Sequence, residues 1–210
     1  MLEQQKTLRL VLQRIPSESN VTEQHHFAHR LLEQMLQEQG IAPPYVLQKG
    51  KHGKPFLAYH PDIQINLSHC KGAVLCGIGD MPLGVDVEAH RSVRERVMRR
   101  VLTEAEQQAV LQAEQPALQF MRFWTWKESF VKAIGIGISY PMQQIFFSQL
   151  QPIQQVSAIC EVREKDSTVC VPMAEYAADG TGIGYRFFQC ILAGEWVVSV
   201  CVQGRHPNIA

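Results

Sequence analysis

The chain has no excess of either charge: 20 lysines and arginines stand against 20 aspartates and glutamates in 210 residues. A general nucleic-acid binder carries a clear basic surplus, so that class is set aside. No apolar run approaches the roughly 18 residues that cross a bilayer. Met1 to Arg14 mixes polar and apolar residues where a secretory leader would show a charged tip and an apolar centre. A cytoplasmic location is therefore expected. The six cysteines (Cys70, Cys76, Cys160, Cys170, Cys190, Cys201) include no Cys-x-x-Cys pair and sit in apolar stretches such as Val74-Leu75-Cys76. Buried reduced thiols are the expectation, not disulfides or a zinc site. A Gly-x-Ser-x-Gly elbow is missing too, which removes the usual serine-hydrolase signature.

What is present is enough hydrophobic content, 46%, to bury a full core as one large domain or two small halves. Thr22 to Gln39 reads as a helix, with Phe27, Leu31, Leu32, Met35 and Leu36 at helical spacing and Gly40 as a stop. A basic loop, Gln48-Lys49-Gly50-Lys51-His52-Gly53-Lys54-Pro55, comes next. Strands are expected over Ile63–His69, Ala73–Ile78 and Val85–Glu88, forming a meander covered by the first helix. Val93, Val97 and Val101 share a helical face, and Thr103 with Glu106 spells a capping box. Leu118 to Ile134 is a further helix closed by Gly135. Strands follow at 144–147, 156–162, 185–192 and 196–202. Ile65–Gly79 and Phe187–Cys201 repeat the order strand, glycine turn, strand at one offset of 122 residues. That echo suggests two related halves, and no low-complexity linker parts them.

Three clusters carry chemistry. In Gly84-Val85-Asp86-Val87-Glu88, a strand puts Asp86 and Glu88 on one face and both valines on the other. Two carboxylates on a rigid strand suit a hard divalent cation such as Mg²⁺, although alone they are also compatible with surface acids. In Trp124-Thr125-Trp126-Lys127-Glu128-Ser129-Phe130-Val131-Lys132, Glu128 and Lys132 lie one helical turn apart. Such a pair is either a solvated ion pair or the border of a cleft. In Asn66-Leu67-Ser68-His69, adjacent strand residues point to opposite faces, which argues against a Ser–His nucleophile.

Read in order, Gly53-Lys54-Pro55, Asn66-Leu67-Ser68-His69, Gly84-Val85-Asp86-Val87-Glu88 and Trp124 to Lys132 form one string, with Asp86 and Glu128 separated by 42 residues. It resembles the 4′-phosphopantetheinyl transferases (holo-acyl-carrier-protein synthases) of the larger, monomeric, surfactin-synthetase-activating type. Their hallmark is Gly-Val/Ile-Asp, roughly forty residues, then Trp-x-x-Lys-Glu-x-x-x-Lys. The likeness runs from about Lys49 to Ile138, and Ala28-His29-Arg30 looks like that family's first helix. The last third matches in strand pattern only.

The resemblance implies an α+β pseudo-dimer of two similar halves, each an antiparallel sheet packed with helices, with the active site in the cleft between them. Residues 1–90 would form one half and 91–210 the other. It implies transfer of the 4′-phosphopantetheine arm of coenzyme A to a serine of an apo-acyl or peptidyl carrier protein, releasing adenosine 3′,5′-bisphosphate. Asp86, Glu88 and Glu128 would hold Mg²⁺ (or Mn²⁺). Lys132 would contact the pyrophosphate, and Glu128 is the family's usual candidate for general base. His69 and Lys54 would hold the 3′-phosphate, with Ser68 and the 49–54 loop nearby; Lys49 and Lys51 add charge there. The rival readings are a non-catalytic coenzyme A or carrier-binding module and a metal-dependent phosphohydrolase.

Three features are particular to this chain. Where relatives carry basic residues ahead of the first helix, Ser17 to Glu23 is acidic. Its His25 and His29, four apart, mimic a metal pair without an evident third ligand. The run Arg91 to Arg100 holds Arg91, Arg94, Arg96, Arg99 and Arg100. It is either a solvated helix face or, through the last four, a docking surface for an acidic carrier protein, with the valines packed inward.

Overall fold

The computed structural model describes residues 8–91, 95–137, 139–165, 167–192 and 194–204. Strand β1 (Arg9–Arg14) leads into helix α1 (Val21–Glu38). Asn20 starts that helix through a capping box: its side chain accepts the Glu23 N–H at 3.1 Å, and the Glu23 carboxylate accepts the Asn20 N–H at 2.8 Å. Ala28, Leu31, Leu32, Met35 and Leu36 form its buried stripe. The basic loop lies between the short strands β2 (Leu47–Lys49) and β3 (Pro55–Leu57). Then come β4 (Gln64–Cys70), β5 (Ala73–Gly79) and β6 (Leu83–Ala89), followed by α2 (Glu95–Val101), α3 (Glu104–Leu111) and α4 (Pro116–Ile134). Thr103 and Glu106 form the expected capping box on α3. The chain closes with β7 (Ile145–Phe146), β8 (Gln154–Glu164), β9 (Ser167–Tyr176), β10 (Asp179–Gly180), β11 (Tyr185–Leu192) and β12 (Trp196–Gln203).

Eight strands make one mixed sheet in the order β4-β5-β1-β8-β9-β11-β12-β6. The fold is thus α+β, a large near-barrel sheet flanked by helices, consistent with a two-lobed architecture. The hairpins β4–β5 and β11–β12 match the repeated segments, and each turns through a glycine of positive φ, Gly72 (83°) and Gly194 (71°). The simple meander is corrected. β6 does not ladder with β5; it pairs with β12 over Leu83 to Ala89, while β5 pairs with β1. Two sheet strands were absent from the sequence reading. β1 is a three-residue apolar core between arginines, sandwiched between β5 and β8. β9 carries Pro172 in its interior, a residue that normally argues against a strand.

The sheet curls until its edge strands β4 and β6 lie side by side. Leu12, Leu75, Val85, Cys160, Met173, Phe188 and Val200, from seven different strands, share the enclosed core. Helix α1 covers the outer flank of β4, β5 and β1, and α4 covers β6 and β12. At the seam, side chains replace a backbone ladder. Asn66 Oδ1 accepts the Val85 N–H at 2.9 Å, and Ser68 Oγ accepts the Val87 N–H at 3.3 Å. All six cysteines are free; four are buried and Cys70 is half-buried, but Cys170 is exposed on β9, contrary to expectation. In α2, Val101 is buried as expected, whereas Val97 is exposed, so the valine stripe does not pack inward as a unit. Val93 and Arg94 lie outside the described residues.

Helix α4 crosses β6 at Gly84. A Cβ there would stand 2.0 Å from the Ser129 carbonyl oxygen and 2.3 Å from the Ala133 nitrogen. Both obstacles are backbone, so no rotamer relieves them. Gly84→Ala should cost about 3 kcal/mol or more by prying α4 off the strand. Gly50→Ala, whose Cβ would meet only the Lys54 carbonyl at 3.6 Å, should be near neutral. Urea unfolding of the two variants checks this, and equal midpoints would refute the close crossing.

Candidate functional site

A cavity of about 650 Å³ opens along the β4–β6 seam, between α1 and α4. Strand alternation sends Val85 and Val87 into the core and Asp86 and Glu88 into the cavity wall, as the period of two requires. Helix α4 brings Trp124, Glu128 and Lys132 to the same wall, at four-residue steps along one face. The residues of the two distant motifs therefore meet.

Asp86 is only 4% exposed. Its Oδ1 accepts from Lys132 Nζ at 2.6 Å and from Ser68 Oγ at 3.0 Å, while Oδ2 has no partner. Lys132 also donates to Ser68 Oγ at 2.9 Å. The i,i+4 spacing left open a solvated Glu128–Lys132 ion pair or the border of a cleft; both residues line the cavity, and Lys132 bonds Asp86. Glu128 Oε1 is buried without a hydrogen-bond partner. Burial, then repulsion from Asp86 and Glu88, raises the Glu128 pKa to about 7, against the pull of Lys132. Burial and Asp86 likewise push Glu88 upward. One Glu88 oxygen accepts from Trp124 Nε1 at 3.1 Å. Among the described residues, no three His, Cys, Asp or Glu side chains converge as a ready metal site. The donors are nevertheless all oxygen, two of them are unpartnered, and the three carboxylates repel. This is the chemistry that a hard cation relieves.

The opposite wall comes from α1, β2 and β4. His69 accompanies Lys49, His25 and His29 there. His69 Nδ1 bonds Gln24 Oε1 at 2.8 Å, and its ring meets that of His25 edge-on at 4.5 Å between centroids. Burial chiefly, then the neighbouring His25 and Lys132, lowers the His69 pKa. Ser68 lines the cavity, yet its hydroxyl is committed to Asp86, Lys132 and the Val87 N–H.

Lys54 and Lys51 are not drawn into this wall. Lys54 Nζ donates to the Leu83 and Ala133 carbonyls at 3.0 and 2.7 Å, tying the basic loop to β6 and the end of α4. Burial lowers its pKa to about 8. Lys51 is exposed in the turn, outside the lining. Gln24, His25, His29 and the Trp124–Glu88 bond were not assigned to a site from sequence. The helical spacing of His25 and His29 was visible, but not that His69 faces them. Lys127, inside the motif, is fully buried and bonds Glu106 Oε2 and the Val101 carbonyl, locking α4 to the start of α3. In the arginine run, Arg91, Arg96, Arg99 and Arg100 are exposed, with Arg99 paired to Glu95.

Comparison with known proteins points to one superfamily. The family model of the 4′-phosphopantetheinyl transferase superfamily matches residues 82–201, from β6 into β12. The chain belongs to that superfamily. It is 32% identical over 126 residues to a 4′-phosphopantetheinyl transferase of Bacillus subtilis, covering 55% of this chain and 56% of that protein. It is 31% identical over 140 residues to the 4′-phosphopantetheinyl transferase Sfp of Bacillus subtilis strain 168, covering 62% of each. An L-aminoadipate-semialdehyde dehydrogenase-phosphopantetheinyl transferase of Xenopus laevis is 33% identical over 124 residues, 51% of this chain and 41% of that one. The matches span about three fifths of the length of the bacterial relatives.

The raised Glu128 pKa has a consequence for stability. In cation-free protein the folded state holds the Glu128 proton up to about pH 7, whereas the unfolded chain releases it near its ordinary value of 4.5. Between those limits the native state binds more protons, so stability should fall as pH rises from about 5 to about 8 and then level off. Glu128→Gln should flatten that fall and melt higher at the alkaline end. Thermal unfolding in chelator across this range tests it; parallel curves for both proteins would exclude Glu128 as the source.

Proposed function

We propose that this chain transfers the 4′-phosphopantetheine arm of coenzyme A to a serine of an apo-acyl or peptidyl carrier protein, releasing adenosine 3′,5′-bisphosphate. The observation that carries this reading is the meeting of Asp86, Glu88, Glu128 and Lys132 in one cavity, with Asp86 Oδ2 and Glu128 Oε1 unpartnered. Those oxygens with Glu88 would hold Mg²⁺, or Mn²⁺ in its place. When bound, the cation would neutralise the diphosphate and the carboxylates together. Lys132, held between Asp86 and Ser68 at the cavity wall, would stabilise negative charge on the leaving phosphate. The carrier serine oxygen attacks the β-phosphorus, the bond to the bisphosphate breaks, and the serine proton passes to Glu128 directly or through water. A proton affinity near neutrality suits Glu128 to that role. Binding a cation would lower it, so the two roles compete. Trp124 orients Glu88, and Ser68 positions Asp86 and Lys132.

The wider reading is a single-chain enzyme of the larger type, built as halves 1–90 and 91–210. Its six free cysteines suit a reducing cytoplasm. No described helix is long and apolar enough to cross a membrane. The carrier, acidic in this reading, docks on the exposed arginines of α2, the helix that follows the carboxylate strand in the chain.

Asp86→Ala should leave the fold intact and lower kcat/KM by at least roughly a hundredfold, since it removes the central carboxylate and frees Lys132. The decisive assay incubates protein, coenzyme A and Mg²⁺ with and without an apo-carrier. Bisphosphate release only with carrier, with a mass gain on its serine, supports transfer. Release without carrier makes the protein a phosphohydrolase, and no release makes it a binding module.

Reversing Arg96 and Arg100 to Glu should raise KM for an acidic apo-carrier and weaken its salt dependence, leaving coenzyme A affinity unchanged. The helix should stay anchored through Val101 and through the bonds of Gln143 Nε2 to the Arg99 and Leu102 carbonyls. Equal KM values and salt slopes in both proteins would place the docking surface elsewhere.

A further inference from the structure

The cavity has two chemically different walls. Every acid lining it comes from β6 or α4; the α1, β2 and β4 wall carries His25, His29, Lys49 and His69 with no carboxylate. Among the described residues, Lys49 is the one permanent cation lining that wall. Lys54 is turned to backbone carbonyls, and the segment ahead of α1 is acidic. A phosphomonoester carries about 1.5 to 2 negative charges at neutral pH, more than one lysine balances.

We propose that His25 and His29 form, with His69 and Lys49, a proton-switched clamp for a nucleotide phosphomonoester. The proposal rests on coenzyme A being the substrate and concerns its 3′-phosphate. His25 and His29 stand one turn apart on α1, beside the buried Ala28, and both line the cavity wall that carries His69. Gln24 Oε1 can only accept, which fixes the His69 hydrogen on Nδ1 and leaves Nε2 to take up a proton and donate. Burial and the adjacent His25 ring disfavour the charged form of His69. Neighbouring imidazolium rings repel unless an anion contacts both, so the phosphate draws protons in as it binds.

The groups that face the pair are His69 on β4 and Lys49 on β2. Across the cavity stand Asp86 and Glu88 on β6, and Glu128 with Lys132 on α4. These far-wall groups act on coenzyme A and dephospho-coenzyme A alike. The difference between the two ligands therefore isolates the clamp.

The test is calorimetric binding of coenzyme A and dephospho-coenzyme A, with Mg²⁺ and no carrier, at about pH 6 and about pH 8 in buffers of different ionisation enthalpy. Wild type should prefer coenzyme A over the dephospho form by about tenfold more at the lower pH, with net proton uptake; a tenfold change is what one group gaining a unit of pKa on binding supplies. In His25→Gln/His29→Gln, both on an exposed helix face that glutamine suits, that pH dependence and the proton uptake should fall by at least half. Circular dichroism confirms folding. Equal proton uptake and equal pH dependence in both proteins would overturn the clamp while leaving the transferase reading intact. Failure of wild type to bind either ligand would overturn both.

Discussion

The structure depends on how β4 meets β6. A backbone ladder would bring the two strands to about 4.8 Å and seal the barrel. Here Asn66 and Ser68 reach across to the Val85 and Val87 N–H groups instead. Side chains used as spacers hold the strands farther apart while still satisfying buried donors. β6 keeps its other edge fully paired with β12, so it is rigid on one side and spaced on the other. The cavity lies along this wider seam. Ser68 serves both purposes, since the hydroxyl that caps Val87 also bonds Asp86 and Lys132.

The two informative motifs divide their residues between holding and acting. Gly84 exists for the close crossing of α4, and Lys127 for a buried tie to Glu106. Burial lowers the Lys127 pKa, and the Glu106 carboxylate opposes that fall. Lys132, five residues on, faces the cavity and is shared with Asp86. Two lysines on one helix thus end in opposite environments because helix rotation sends one toward α3 and the other toward the seam. The crossing at Gly84 sets that rotation, and with it the position of Glu128.

Much of the carboxylate wall was legible beforehand. Period-two alternation on β6 and the four-residue steps on α4 are local geometry; they paired Asp86 with Glu88 and Glu128 with Lys132, and the family resemblance joined the two pairs. The capping box at Thr103 is local for the same reason. The strand β9 was hidden because Pro172 contradicts its pattern, and β1 because three apolar residues carry little periodicity. The opposite wall was legible only in part: His69 and Lys49 were named and line it, whereas the bonds of Lys54 to the Leu83 and Ala133 carbonyls were not foreseen.

By itself, the sequence determined which side chains share a face of one element, since covalent spacing along a helix or strand settles that. It also determined the superfamily, through motifs whose order survives without coordinates. Only the tertiary structure decided which faces meet. It joined β6 to β12 and not to β5, gave Lys132 to Asp86 and not to Glu128, and turned Lys54 from the cavity to the Leu83 and Ala133 carbonyls. Charges choose partners through space by distance and burial, and neither is a function of separation along the chain.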